Sequence, residues 1–505
     1  VAVLKRQTLR INMTNNQVTA VDSSNRGSYQ NVGLVLGPAL FVLMTAFDGV
    51  QDVMAQEAWR TAAVGLWMAV WWATEAIPVP VTAFLPIVTF DLLGIATIRE
   101  AAEPYANPII YLFLGAFVLA IAVERWNLHK RIALMILSHT GTDGRRLIGG
   151  FMLVAALLSM WMTNTSTTMM LMPIAMSVVT VVLSQTDGVN DRRKNNFQTA
   201  MLLGLAYAAT IGGLATLVGT PPNALLAAFI EENYAIEISF VSWMMVGVPI
   251  SALMLPIAWL ILTRWVFPVE IPANAAAQRH LAELKNDMGP ITAPEKRVAI
   301  IFALVILGWI MRRPLGDWLP LDGLSDTGIA MAGALILFLV PSGDRAQQQL
   351  MTWADLNRLP WGVLVLFGGG LSLAAAIADS GLAQWLGESL SPLSIYGVMA
   401  LVIAATGLVI FLTELTSNIA TAATFLPVLG AIAIEAGIPP MVLCVPVTLA
   451  ASCAFMLPVA TPPNAIVYAS GMLTIPDMAR AGFYLNCVGM LILTLVALWW
   501  APLFF

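Results

Sequence analysis

Two short polar runs sit inside apolar surroundings where they could bind ions. Thr163-Asn164-Thr165 follows Ser159, and Ser417-Asn418-Ile419 follows Thr413 and Thr416. Downstream of each comes a second motif, GTPPNALLAA from Gly219 and ATPPNAIVYA from Ala460. Hydroxyl and amide oxygens can ligate a hard cation, and the Asn N–H groups can donate to an anion. A Thr-Pro-Pro-Asn run must break an apolar helix, because the second proline lacks an N–H and forces the residue before it out of helical geometry. The result is two half-helices joined by an unwound strand. Its freed carbonyls suit a cation, while half-helix N-termini present N–H groups and a positive dipole to an anion. Singly, a proline kink is mechanical and a buried Asn is a helix–helix hydrogen bond. Four such elements in one chain point instead to ion binding.

The elements that hold these motifs are membrane helices. Hydrophobic residues fill 59% of the 505 positions and charged residues 10%, so the solvent of most of the chain is lipid. The apolar runs are about 17 to 25 residues long, enough to cross a bilayer as helices, which excludes a β-barrel. Hydropathy predicts eleven spans, near 31–48, 59–76, 79–98, 106–126, 198–230, 240–268, 296–312, 325–341, 361–379, 440–470 and 481–504. The stretches near 144–184 and 394–434 differ, each having a polar, Asn-containing centre followed by Pro173 or Pro427. They read either as two pairs of full helices or as two re-entrant hairpins. Neither turn offers a charged residue suited to a water surface, and such a centre is tolerated at membrane depth only inside protein or beside an aqueous cavity, which favours re-entrance. Residues 1–30, with Lys5, Arg6 and Arg10, read as a cytoplasmic tail without the apolar core of a cleaved signal. Cys444, Cys453 and Cys487 have no metal-site spacing and read as small core residues.

A separation of 254 residues superposes Thr163-Asn164-Thr165 on Ser417-Asn418-Ile419, Ser159 on Thr413, Pro173 on Pro427 and Gly115 on Gly369. Lys and Arg accumulate in short cytoplasmic loops. Arg145, Arg146, Arg192, Arg193 and Lys194 flank the first hairpin, whereas Asp379, Glu388 and Glu435 flank the second. The two units are therefore expected to enter from opposite faces, the inverted repeat of an alternating-access carrier. This topology puts the N-terminus in the cytoplasm and the C-terminus outside. No Lys or Arg falls in the expected core, so a dianion there needs co-transported cations, and neutral oxygen ligands suit sodium. Glu75 and Glu414 are the alternative, as proton carriers, with a capping or interhelical role equally open for Glu75.

The paired Asn hairpins and Thr-Pro-Pro-Asn runs, with TEAIPVPVTAFLP near the first spans, resemble the divalent anion:sodium symporter family from about Gly33 onward. The resemblance implies an all-α polytopic elevator-type transporter in the cell (inner or plasma) membrane. It further implies a homodimer with scaffold parts at 31–143 and 296–393, transport parts at 144–268 and 394–505, and a cytoplasmic linker at 269–295. The implied cargo is Na+ with a small divalent anion, best a C4-dicarboxylate such as succinate, malate or fumarate; nucleic acid has no place in it. One sodium site would comprise Ser159, Thr163, Asn164 and Gly219, the other Thr413, Thr416, Asn418 and Ala460. Substrate carboxylates would meet Asn164, Thr165, Thr220, Pro221, Ser417, Asn418, Thr461 and Pro462. Ile419 stands where the family usually has Thr. The stretch Asn127–His139 reads as an amphipathic interfacial helix or a plain loop. Alternatives are a proton-coupled or exchanging carrier of citrate, sulfate or another anion, and, in other classes, an ion channel or a membrane enzyme. An enzyme would need a nucleophile beside a base, and His129, His139 and His280 all map to the cytoplasmic surface.

Ile419→Thr should add a carboxylate hydrogen bond of about 1 kcal/mol, or about fivefold in affinity, by an amount that varies with the anion. Competition of succinate, citrate and sulfate for uptake measures it. An unchanged ranking would remove Ile419 from the substrate site.

Overall fold

The computed structural model describes residues 27–185, 190–273, 275–318, 323–344, 347–390 and 397–505. Nearly all of the expected cytoplasmic tail lies outside them, as do Arg345 and Asp322; the first helix already begins at Ser28. Among the described residues the fold is helical, with one small antiparallel ribbon pairing Pro341–Asp344 with Gln347–Gln349. Among the described residues, eight helical stretches are long and apolar enough to cross a membrane: Ser28–Ala46, Ile98–Arg125, Asn164–Ser184, Phe240–Val266, Ala293–Gly316, Trp361–Asp379, Asn418–Glu435 and Ile475–Leu503. Four shorter apolar ones are Val79–Leu93, Asp326–Leu339, Val398–Leu412 and Met441–Ser452.

Prolines decide where several of these helices begin. The expected continuous span 79–98 is instead two helices, Val79–Thr82 and Leu85–Leu93. Pro80 and Pro86 lie in their first turns, where a missing N–H costs nothing, and Gly94 ends the second at φ 67°. The spans expected at 198–230 and 440–470 are each divided. Asp191–Gly213 is followed by turns and then Pro221–Tyr234, and Met441–Ser452 is followed by an irregular stretch and then Pro462–Tyr468. Thr220 (φ −143°, ψ 140°) and Thr461 (φ −142°, ψ 150°) are extended, as a following proline demands. The first helix stops several residues before its proline, so the unwound segment is longer than the motif alone suggests.

The two stretches with polar centres are helix pairs. Gly144–Ser159 precedes Asn164–Ser184, and Val398–Leu412 precedes Asn418–Glu435. The helices beginning at Asn164 and Asn418 are 254 residues apart, and those beginning at Pro221 and Pro462 are 241 apart. Phe240–Leu260 and Ile475–Leu495 both run into a π-helical turn, Ile261–Val266 and Val496–Trp500. The two sets interlock: Pro462–Tyr468 packs on Asn164–Ser184, and Pro221–Tyr234 packs on Asn418–Glu435.

Around them, Pro108–Arg125 packs on Asp326–Leu339, Ser28–Ala46 on Gln56–Thr74, and Trp361–Asp379 against Asn418–Glu435. Trp161, in the first hairpin turn, stacks with Phe240 and Trp309 at 6.0 and 6.4 Å between ring centroids. The stretch read as an interfacial helix or loop is helical over Leu128–Leu137, and a counterpart at Leu382–Leu390 was not expected. His129 is buried rather than part of a charged surface. Burial pushes its imidazole down to about 4, against the pull of the Val123 carbonyl 3.1 Å from Nδ1. The expected linker contains a helix, Ala275–Asp287, that packs on Leu128–Leu137 and on Asn164–Ser184, where His280 meets Ser177.

Close helix approach depends on glycine where backbones touch. A β-carbon on Gly212 would lie 2.3 Å from the Ala156 carbonyl oxygen, so Asp191–Gly213 and Gly144–Ser159 meet without a side chain between them. Gly212→Ala should cost about 1–3 kcal/mol through overpacking, read as a lower thermal midpoint of the detergent-solubilised chain. An unchanged midpoint would show that the two helices can separate freely.

Candidate functional site

The first hairpin turn and the first unwound segment form one cluster. Thr163 is the extended N-cap of Asn164–Ser184, and its Oγ1 accepts the Ser166 N–H at 3.1 Å. Asn164 thereby opens the helix with its side chain turned back toward the preceding arm, where Ser159 Oγ donates to its Oδ1 at 2.6 Å. Thr216 Oγ1 donates to the Met160 carbonyl at 2.5 Å, tying the unwound segment to the turn. The point a β-carbon would occupy on Gly213 lies 2.5 Å from Asn164 Oδ1 and 3.1 Å from the Gly219 carbonyl oxygen. A glycine there lets the Asn164 amide pack against the backbone beside the Gly219 carbonyl, and the neutral oxygens gathered at this point suit a hard monovalent cation.

The second half repeats the arrangement with different residues. Thr413 Oγ1 lies 3.0 Å from Asn418 Oδ1 and donates to the Ala451 carbonyl at 2.7 Å. Ser417 is the extended N-cap of Asn418–Glu435, without a side-chain cap bond. Thr416 Oγ1 is engaged within the hairpin, by the Leu412 carbonyl at 3.1 Å and Thr421 Oγ1 at 2.7 Å. Gly219 and Ala460 are buried, each one residue before the N-cap of its half-helix. Thr461 Oγ1 accepts the Asn464 N–H at 3.3 Å, whereas Thr220 Oγ1 has no capping bond. Pro221 and Pro462 are the first residues of their helices and more accessible than the prolines that follow. Thr165, Ser417 and Ile419 are half-buried, and among the described residues the hydroxyls of Thr165 and Ser417 make no hydrogen bond. Every expected ligand thus lies at a hairpin turn or beside an unwound segment. Each half joins its own Ser/Thr–Asn pair, and the two halves meet through packing of their helices.

The second hairpin turn, expected to lack charged residues, contains Glu414, between the helix ends at Leu412 and Asn418, whereas Glu75 lies elsewhere. Glu414 is 3% exposed, and its carboxylate accepts from the backbone N–H groups of Phe455 (2.8 Å), Met456 (3.0 Å to each oxygen) and Leu457 (3.1 Å) and from Asn486 Nδ2 (2.7 Å). It satisfies the N–H groups that unwinding would leave bare in the second segment. In the first segment the turns do this themselves, with Leu214 N–H to Ile211 and Ala215 N–H to Gly212 carbonyls at 3.2 and 3.1 Å. Glu75, expected near the core, is exposed: it ends Gln56–Thr74 in the left-handed region (φ 47°), so it is a helix-terminal residue and no part of this cluster. Gly213, Thr216 and Asn486 lie outside the motifs, while Asn223 and Asn464 close the two Thr-Pro-Pro-Asn runs in places for which no role was expected. The adjacent glycines Gly212 and Gly213 just before a Thr-Pro-Pro-Asn run were the available signal for the first of these.

Residues 30–505 match the family model described as the sodium:sulfate symporter transmembrane region. The chain is 40% identical over 477 residues to the sodium-dependent dicarboxylate transporter SdcS of Staphylococcus aureus (strain USA300), covering 94% of this chain and 92% of that protein. It is 39% identical over 476 residues to the protein of the same name from Staphylococcus saprophyticus, with the same coverage.

Replacing Glu414 by Leu would leave the backbone N–H groups of buried Phe455 and half-buried Met456 and Leu457 without an acceptor, at up to about 1–3 kcal/mol each. The thermal midpoint of Glu414→Leu should fall by many degrees, while that of Glu75→Gln should not move. Equal midpoints for the two variants would show that the carboxylate does not hold the segment.

Proposed function

The chain belongs to the sodium:sulfate symporter family, and on that premise we propose that it couples sodium to the movement of a C4-dicarboxylate across the cell membrane. The observation that carries this reading is the donor set. Both hairpin turns and both unwound segments, 159–168, 213–223, 413–421 and 453–464, contain no Lys or Arg. A dianion in such surroundings would be several kcal/mol from balance without accompanying cations. The names of the relatives, sodium-dependent dicarboxylate transporters, agree.

In this reading one sodium ion is held by Ser159, Thr163, Asn164 and Gly219 and another by Thr413, Thr416, Asn418 and Ala460. The hydroxyls of Thr165 and Ser417, the Asn164 and Asn418 amides, Thr220, Thr461 and the backbone at Pro221 and Pro462 receive the carboxylates, with Ile419 bounding the pocket. The helices beginning at Asn164 and Asn418 turn their positive ends toward this anion. Re-entrance is supported by the short first arm of each hairpin, although the second arms, Asn164–Ser184 and Asn418–Glu435, are long enough to cross. Gly144–Ser159 has 16 residues and Val398–Leu412 has 15, about 24 Å or less of helix against roughly 30 Å of hydrocarbon. With eleven spans besides, the halves are inverted, the N-terminus is cytoplasmic and the C-terminus external, as the segregation of charge supports. The family resemblance carries the division into scaffold (31–143, 296–393) and transport parts (144–268, 394–505), the elevator motion and the homodimer.

Labelled succinate should accumulate in proteoliposomes under an inward sodium gradient and stay near background when potassium or choline replaces sodium at fixed pH. Equal uptake in choline would overturn the symport reading.

A further inference from the structure

Asn223 and Asn464 stand at the ends of the two Thr-Pro-Pro runs, 241 residues apart. Both are fully buried. Asn223 Nδ2 donates to the carbonyls of Gly213 at 3.1 Å and Thr216 at 2.8 Å. Asn464 Nδ2 donates to the carbonyls of Ala454 at 3.2 Å and Leu457 at 3.0 Å. These acceptors are themselves in equivalent pairs, again 241 residues apart. The match extends one bond further. The Thr216 carbonyl also accepts the N–H of Gly219 at 3.3 Å, and the Leu457 carbonyl that of Ala460 at 3.2 Å. The intervening sequences, LATLVG and FMLPVA, have almost nothing in common. The same ring is nevertheless closed in both: one amide joins the carbonyl that opens the unwound segment to the carbonyl that anchors residue 219 or 460.

This ring reaches the first cluster of oxygens through its neighbours. Gly213, whose carbonyl Asn223 holds, is the residue whose missing β-carbon lets the Asn164 amide pack close beside the Gly219 carbonyl. Among the described residues, Oδ1 of both Asn223 and Asn464 has no hydrogen-bond partner, so each amide is engaged only through its N–H groups.

Resting on the sodium reading of the two hairpin sites, we infer that Asn223 and Asn464 are positioning residues for sodium: each fixes the unwound turn so that the carbonyl of Gly219 or Ala460 stays aimed at its ion. The amide N–H groups that hold these carbonyls carry the role. Removing one should leave the ligand oxygens in the protein but no longer held, which weakens sodium binding more than it slows a carrier already loaded with sodium.

The test is sodium-dependent uptake of labelled succinate by the full chain in proteoliposomes, comparing wild type with Asn223→Ala, Asn223→Ser, Asn464→Ala and Asn464→Ser. The half-saturating sodium concentration should rise about 10- to 100-fold, the usual effect of losing a residue that orients metal ligands. The rate per folded carrier at saturating sodium should return toward that of wild type. If the variants keep the wild-type sodium affinity and lose only rate or yield, the inference falls while the symport reading stands. If none of the four can be recovered folded, the rings serve folding and the inference falls as well. Wild-type uptake indifferent to sodium would overturn the symport reading, and this inference with it.

Discussion

Breaking a helix inside a membrane exposes backbone groups where water is scarce, and each buried carbonyl or N–H left unpaired costs free energy comparable to a lost hydrogen bond. Among the described residues, two helices stop short of a Thr-Pro-Pro-Asn run, after Gly213 and after Ser452, and their freed backbone groups lie in buried or half-buried residues. What lets them exist is a small set of side chains that take over the backbone's hydrogen bonds. Asn223 and Asn464 donate to the freed carbonyls, Glu414 accepts the freed N–H groups of the second segment, and Thr216 ties the first segment to the Met160 carbonyl. The hairpin turns, the half-helix termini and the close contact at Gly213 all take their positions from these two satisfied breaks.

The halves solve the same problem with unequal means. The first segment closes its N–H groups onto its own turns and uses a glycine to admit the Asn164 amide, so it is compact and uncharged. The second has Ala454 in the place of Gly213, is irregular from Cys453 to Met456, and is held from outside by a buried carboxylate. That carboxylate carries four N–H donors and no cationic partner among the described residues, in place of the Met160 that stands 254 residues earlier. The two segments are thus alike in ligand pattern and unlike in what holds them.

In the proposed symport, neutral ligands and fixed dipoles bind the dianion without trapping it. A Lys or Arg in the core would hold carboxylates permanently, whereas cations that arrive and leave with the anion make its affinity depend on their own concentration. The aromatic contact of Trp161 with Phe240 and Trp309 seats the first turn against Ala293–Trp318, so the cluster is braced by apolar packing rather than by charge.

Composition and run length by themselves determined that the chain is an all-helical membrane protein, because the hydrocarbon core admits few other ways to pair a backbone. The twice-repeated Asn runs and Thr-Pro-Pro-Asn motifs located the candidate site, since proline and polar residues inside apolar helices have strong local consequences. Proline also misled: Pro80 and Pro86 start two short helices where hydropathy alone predicts one span, because hydropathy averages over the break. Tertiary structure decided the rest. That Glu75 caps an exposed helix end while Glu414 anchors an unwound strand could not be read from two acids in similar apolar contexts, because the difference lies in groups 41 to 43 and 72 residues away in the chain. The roles of Gly213, Asn223 and Asn464 were equally hidden. Each depends on which carbonyl stands within 3.5 Å once the chain has folded back, and local sequence carries no record of that distance.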